Sequence, residues 1–531
     1  MTDRQTRLGQ RFIVLLGLFA FAVILAFHNI TDNDLWAKLA LGASVLDDGH
    51  LLRHDVFAFT PVLPIYIDHE WGAGVIFYGL LKMFGPPALM VLKIGLALGA
   101  LGFGWAAGRR QGVDRNVLLL MAPLCAAAIL PGYIPVIRCH ALTYFLFGAT
   151  LFCLEELRHS RRWAAVVLPL IMLIWANVHG GFVVGLAVVF LYAAFALPLG
   201  RVAVLPVLTA AACAAVTFIN PYGVRFWQYL IPALLNPRAR ITEWQPLPIL
   251  AWDDFWGFRL LFGLTVVVIL LSWKHLSRKN FHGLAVMALV AAMGWRNRRH
   301  GPFFGVAALA FAGPYFENMA IRIASAVRLK FNPVLGLGIV YLGMAFFVAV
   351  EILPGASWQP LAPVGEDPVR EADILALAEA KGNCATPFGW GSYVSWRLYP
   401  NIKISMDGRY ETTYPESTFV LNNDFFDNAS DPFKLCRAYK VDFVVLDLLR
   451  ERLRTEDLTA QGYVVIWKQE GVSALLCLPE HATALRDAAA HLPPFTIDPL
   501  DVRARPDTKA RSRLSLAVPA GFGSRSMFQE D

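Results

Sequence analysis

Apolar runs of membrane-spanning length recur along this chain, with short polar segments between them. They cover residues 12–29, 87–108, 117–132, 141–156, 163–178, 181–199, 202–219, 258–273, 282–295, 302–318 and 333–353. Each predicts a helix in lipid, where a spanning segment must satisfy its own backbone hydrogen bonds. A further apolar stretch, "WGAGVIFYGLLKMFG" (71–85), falls short of the roughly 20 residues a span needs. Its Trp71, Tyr78 and Lys82 suit a helix lying on the membrane surface instead.

The polar segments decide between these readings. Counting 71–85 as a span puts "RRQGVDR", "RHSRR" and "KHLSRK" outside, against the tendency of Lys and Arg to stay in the cytoplasm. Reading it as interfacial places those loops, and "IRIASAVRLK", inside. Eleven spans then predict a cytoplasmic N-terminus, with everything after about residue 354 outside. Arg4, Arg7 and Arg11 precede the first run as in a signal sequence, yet no small-residue cleavage site follows, so an uncleaved anchor is expected.

Beyond Glu366 the period changes. "DPVREADILALAEAKG" reads as helix, and "VDFVVLDL" and "GYVVIWKQ" read as strands. The predicted fold class is an α-helical polytopic membrane protein with a small C-terminal extracytoplasmic α/β domain. Its expected parts are a transmembrane module over 1–354 with a first outer loop at 31–86, the α/β domain over 355–497, and a disordered basic tail over 498–531.

Composition agrees. The 531 residues are 56% hydrophobic and 16% charged, with a mean hydropathy of +0.50, against about 25% charged in a soluble domain. In such a chain the net charge of +7 mainly sets orientation, so nucleic acid is not an expected partner. Cys125, Cys139, Cys153 and Cys213 lie in or beside apolar runs, Cys384, Cys436 and Cys477 lie in the later polar region, and no spacing resembles a metal site.

Charge is uneven on the side read as outer. Between Thr31 and His69 six aspartates stand against Lys38 and Arg53, a net charge of −4. A solvated loop would satisfy the orientation rule by itself. However, Asp32 and Asp34 follow directly on the first span, and Asp34 opens the amphipathic "LWAKLALGASVL". A helix N-terminus favours a carboxylate, and one held at the lipid–water boundary suits a general base for a lipid-borne substrate. Asp47 and Asp48, followed by Gly49, are expected to face water.

The ends of other spans supply cations: Arg138 and His140 in "PVIRCHALTY", His179 in "WANVHGGF", Arg225 in "NPYGVRFW", and Arg296 and Arg299 in "GWRNRRHGPFF", with Glu243 in "RARITEWQP". Basic residues on an outer face run against the orientation rule, which points to a bound anion. Arginine suits phosphate because its planar fork donates two hydrogen bonds at once. Pairing of this cluster with the loop aspartates remains the alternative.

Taken together, "DNDLWAKLALGASVLDDGHLLRHDVFAFT", "DHEWG", "WANVHGG", "NPYG", "TEWQP", "RNRR" and "GSYVSWRLYP…ISMDGRYETTYP" resemble a bacterial family of predicted membrane glycosyltransferases with the C-type (GT-C) multi-span fold. The sequence departs from that family at Ala37 and Lys38, where Trp-His is usual. The resemblance implies a catalytic aspartate in the first outer loop, matched by Asp34 with Asp32 beside it. It adds His54, Asp55, His69 and Glu70 to the expected substrate contacts. It further implies a polyprenyl-phosphate-linked sugar donor, a glycan, lipid or protein acceptor, and a bacterial cytoplasmic membrane. Either no cofactor is required or a divalent cation is shared by Asp32 and Asp34. A transporter or flippase for a lipid-linked or anionic solute is the rival expectation, since arginines and histidines in a helix bundle suit it too. In "DGRYETTYP", Asp407, Arg409 and Tyr410 are either contacts to acceptor glycan or an ordinary Asp-Gly turn.

Overall fold

The computed structural model describes residues 3–27, 29–135, 137–235, 242–250, 253–272, 280–327, 332–358, 360, 367–429 and 431–492. The tail expected to be disordered and the loop "KHLSRK" lie outside these residues. The helices preceding the C-terminal domain are α1 (Asp3–Phe27), α2 (Asn33–Leu46), α3 (Trp71–Phe84), α4 (Pro87–Arg110), α5 (Arg115–Ile129), α6 (His140–Arg158), α7 (Trp163–Val178) and α8 (Phe182–Ala196). They continue as α9 (Val204–Val216), α10 (Val224–Leu235), α11 (Trp256–Leu271), α12 (Phe281–Arg296), α13 (Gly301–Phe311), α14 (Gly313–Val327) and α15 (Pro333–Phe347). After these come α16 (Val369–Leu377), β1 (Gly382–Ala385), α17 (Gly391–Leu398), β2 (Ile402–Ile404), α18 (Glu416–Phe426), α19 (Lys434–Ala438) and β3 (Phe443–Asp447). Last are α20 (Thr455–Thr459), β4 (Val464–Gln469), β5 (Ser473–Cys477) and α21 (Ala482–His491).

The chain divides into two compact units, residues 1–29 with 90–358 and residues 30–89 with 359–531. In the first unit α1, α4 to α9, α11 to α13 and α15 fall on the apolar runs. Four helical stretches among the described residues (Arg4–Phe27, Pro87–Arg110, Arg115–Gly132 and Pro333–Gly355) are long and apolar enough to cross a bilayer by length and composition. Leu170 on α7, Leu208 on α9, and Ile339 and Phe346 on α15 are exposed, as residues facing lipid tails are. The chain is a polytopic membrane protein.

Small residues set the packing of this unit. Gly17 on α1 leaves room for the Tyr341 ring, where a Cβ would lie 2.8 Å away, and the Tyr341 hydroxyl donates to the Leu119 carbonyl at 2.7 Å. Every residue of α13 is buried. Glu155 on α6 is fully buried, and it is met by Tyr192 at 2.8 Å, His282 at 2.9 Å and Arg158 at 2.9 Å. A buried carboxylate is tolerable only when paired and hydrogen-bonded in this way, so the cluster ties α6, α8 and α12 together.

The second unit joins the first loop to the C-terminal domain. Its sheet runs β2-β1-β3-β5-β4. β1 is parallel to β2 and β3, and β5 is antiparallel to β3 and β4. β3 and β5 are buried throughout, as their continuous apolar runs require. The first loop extends the β2 edge: Ala58 bridges Ile404 in parallel, Phe59 N–H donates to Ile404 O at 3.0 Å, and Ile404 N–H to Phe57 O at 2.9 Å. α2 and α3 meet at Gly42 and Gly74, where a Cβ on Gly42 would lie 2.1 Å from the Gly74 carbonyl oxygen.

Candidate active site

The start of α2 is fixed from several directions. Asp32 caps it, with Oδ1 accepting the Leu35 N–H at 3.1 Å, which satisfies one of the helix's orphan donors. Asn33 lies against Gly408, where a Cβ would come within 2.4 Å of its Nδ2. Trp36 Nε1 and Thr31 Oγ1 both donate to the buried Asp367, at 2.9 and 3.1 Å. Asp34 stands half-buried in the first turn of this anchored helix. A carboxylate in a helix's first turn interacts favourably with the aligned peptide dipoles.

Lys38, one turn further on, is buried and pairs with Asp68 and Glu70, each at 2.9 Å. His69 Nε2 lies 3.7 Å from Glu70 Oε1. His54 is exposed. The Asp55 side chain is buried: it accepts the N–H groups of Phe57 and Ala58 at 3.1 and 2.8 Å and pairs with Arg409 at 2.5 Å. Arg409 also pairs with Asp407 at 2.9 Å, and its guanidinium lies 4.9 Å from the Phe57 ring centroid. The turn "DGRYETTYP" thus docks the first loop on the C-terminal domain through a buried Asp–Arg–Asp arrangement. Of the two aspartates expected in water, Asp48 is exposed. Asp47 is not: it caps the end of α2, accepts from Tyr78, and pairs with Lys82 at 2.6 Å.

In the first unit several of the expected cations come together. Arg138 pairs with Glu243, and Arg299 lies over the Trp244 ring, 4.6 Å from its centroid. Asn297 Nδ2 donates to Trp244 O at 2.6 Å, and Arg298 N–H donates to Gln245 O at 3.1 Å. The Thr242–Trp244 turn is thereby held on the polar segment before α13. Tyr144 on α6 donates to the Arg299 carbonyl at 2.7 Å. Burial raises the Glu243 carboxyl, but the charges of Arg138 and Arg299 outweigh it and hold the group below its ordinary range. Burial and Arg299 push His300 down to about 3, so it is neutral at physiological pH.

Two histidines border this cluster. The ring centroids of His140 and His179 are 4.7 Å apart, and the charges of Arg299 and Arg138 reach His140. His179 Nδ1 accepts the Gly181 N–H at 2.9 Å and the Thr143 hydroxyl at 2.8 Å, while Trp175 donates to Thr143 at 2.8 Å. This chain of donors leaves the His179 proton on Nε2. Gly181 is required by the same contacts, because a Cβ would lie 2.8 Å from both His179 Nδ1 and Thr143. Arg225 and Arg296 are exposed on α10 and at the end of α12.

Lys93 was not singled out by sequence. It is fully buried in α4, and Nζ lies 3.4 Å from both Asn29 Oδ1 and the Pro135 carbonyl oxygen. Its signal was a solitary lysine within "ALMVLKIGLALG", since ionisable groups in spanning segments are costly and tend to be functional. Trp244 and Thr143 carried no such signal. For metal ligands, Asp442, Glu480 and His481 have donor atoms within 4.8 Å of one another, but Lys440 already pairs with Asp442 at 2.9 Å and with Glu480 at 3.4 Å.

The fold these elements build is that of the GT-C glycosyltransferases. The oligosaccharyltransferase of Archaeoglobus fulgidus, tethered to an acceptor peptide containing the NVT sequon, superposes with a TM-score of 0.55 at 12% identity, covering 83% of this chain and 69% of that one. The same organism's AglB with an inhibitory peptide and a dolichol-phosphate gives 0.55 at 11% identity over 92% and 78%. ArnT from Cupriavidus metallidurans bound to undecaprenyl phosphate gives 0.52 at 13% identity, covering 89% of this chain and 98% of that one. No family model matches the sequence, and no curated protein does.

Proposed function

We propose that this protein is a membrane glycosyltransferase that moves a sugar from a polyprenyl-phosphate-linked donor to an acceptor hydroxyl on the extracytoplasmic face of a bacterial cytoplasmic membrane. The observation that carries the reading is the gathering of Arg138, Arg299, Glu243 and Trp244 from distant parts of the sequence, on a fold whose solved examples hold polyprenyl phosphates. Asp34 takes the proton of the acceptor hydroxyl as its oxygen attacks the anomeric carbon. The bond from that carbon to the phosphate oxygen breaks, and the polyprenyl phosphate leaves with the electron pair. A phosphate is already a weak base, so it needs cationic stabilisation more than a proton. Arg138 and Arg299 provide it. Single displacement inverts the anomeric centre.

Replacing either arginine by lysine keeps the charge and removes the two-pronged donor. Arg138→Lys and Arg299→Lys are each expected to lower kcat/KM on the order of tenfold or more, read as sugar transfer in membranes carrying each variant. Full activity in both would leave the cluster with a structural role only.

A further inference from the structure

Asp68 and Glu70 form an acid pair two residues apart, the spacing at which oxygen ligands commonly share a hard divalent cation. In this protein a side chain already occupies the pair. Lys38 Nζ lies 2.9 Å from Asp68 Oδ1 and 2.9 Å from Glu70 Oε2. All three side chains are largely sequestered, with relative exposures of 10% for Lys38, 4% for Asp68 and 16% for Glu70. The backbone is shaped for this arrangement. Asp68 Oδ1 also accepts the Glu70 N–H at 3.0 Å. Glu70 stands at the N-cap of α3 but makes no capping bond with its side chain, because that side chain is committed to Lys38. Gly74, one turn into α3, brings the two helices close enough: a Cβ there would lie 2.8 Å from the Lys38 carbonyl oxygen.

A lysine ammonium supplies one positive charge and three donors. A divalent ion at the same carboxylates would need oxygen distances of about 2.0–2.6 Å, which the ammonium prevents while it remains. Asp32 spends Oδ1 on the α2 cap, and among the described residues the three-ligand grouping found is Asp442 with Glu480 and His481.

We propose that Lys38 is the resident cation of the Asp68–Glu70 pair, standing where a divalent metal would otherwise bind, so that this pair works without one. The proposal concerns the second unit alone and is tested without donor or acceptor, so its failure and that of the transferase reading are separable.

The probe is Mn2+ added to the purified full-length protein in detergent, with binding followed by electron paramagnetic resonance and thermal unfolding recorded with and without the ion. The unaltered chain should bind no Mn2+ that depends on Asp68, and its Tm should not move. Lys38→Met removes the ammonium and leaves two carboxylates facing each other. That variant should melt lower, recover when Mn2+ is added, and bind one ion on the order of tenfold or more tighter than the unaltered chain. The further change Asp68→Asn should abolish this binding. Lys38→Gln, which keeps a polar stem and loses only the charge, serves the same comparison if Lys38→Met does not fold. Mn2+ binding by the unaltered chain that Asp68→Asn removes would overturn the proposal, as would a folded charge-free variant that takes up no Mn2+.

Discussion

Glu371 lies in α16 with 2% of its surface exposed. Burial raises its carboxyl to about 7, with Asp373 and Asp447 adding to the rise and a hydrogen bond from Ser473 opposing it. The ordinary value is 4.5, so between about 4.5 and 7 the folded chain binds a proton that the unfolded chain releases. Stability from this group is complete below the lower value and is lost as pH rises through the upper one. Glu451, raised to about 7 by burial and by Asp447 and Asp427, acts with the same sign. The contribution of Glu371 to the thermal unfolding temperature should therefore fall between about pH 4.5 and pH 7, and Glu371→Gln should remove that contribution from the difference between the two pH values. A slope unchanged by that substitution would contradict this. At this scale the sequence was a partial guide. It singled out Arg138, Glu243, Arg299, His140 and His179, which meet in one cluster, because arginine and histidine beside apolar runs are rare enough to stand out. Asp55 stood out equally, yet it pairs with Arg409, and nothing in either residue's local pattern announces a partner so distant in the chain. Asp47 was misjudged for the same reason, since its partners Tyr78 and Lys82 lie on a separate helix.

Among the elements, the contact between α2 and α3 sets the surroundings of Lys38. Gly42→Ala would place a Cβ 2.1 Å from the Gly74 carbonyl oxygen, and backbone cannot yield as a flexible side chain can. Overpacking of this kind typically costs about 1–3 kcal/mol, so this variant should unfold at a lower temperature. Gly79→Ala on α3 meets only Leu46 Cδ1, at 3.5 Å. It should be neutral or slightly stabilising, as alanine is the better helix former by roughly 1 kcal/mol. Equal unfolding temperatures for the two variants would remove Gly42 from the account. The helices were legible because lipid demands long apolar runs, and each such run is helical. The tenth run proves to be two helices, α13 and α14, separated at Ala312. The addition of residues 57–59 to the sheet was not legible, since it rests on a single bridge to a three-residue strand, too short for alternation to register.

For the whole molecule, the GT-C fold persists at 11–14% identity to its solved examples, as expected where a hydrophobic pattern rather than particular side chains sets helix placement. The charge distribution makes a separate claim about sidedness. Arg162 and Lys381 are both exposed, and the orientation rule puts Arg162 in the cytoplasm and Lys381 outside. Membrane-impermeant maleimide should label Lys381→Cys in intact cells, and should label Arg162→Cys only after the membrane is opened; labelling of both from one side defeats the threading. Sugar transfer by an aspartate base is the central claim, and paired aspartate variants in liposomes test it most directly. Purified protein supplied with a polyprenyl-phosphate-linked sugar and an acceptor would be followed by release of polyprenyl phosphate. Asp34→Asn keeps the shape and loses the basic oxygen, so its rate should fall by about 10²–10⁴-fold. Asp48→Asn, at an exposed position outside the site, should match the unaltered protein. Equal rates for the two variants, or passage of the donor across the bilayer without any transfer, would contradict the account.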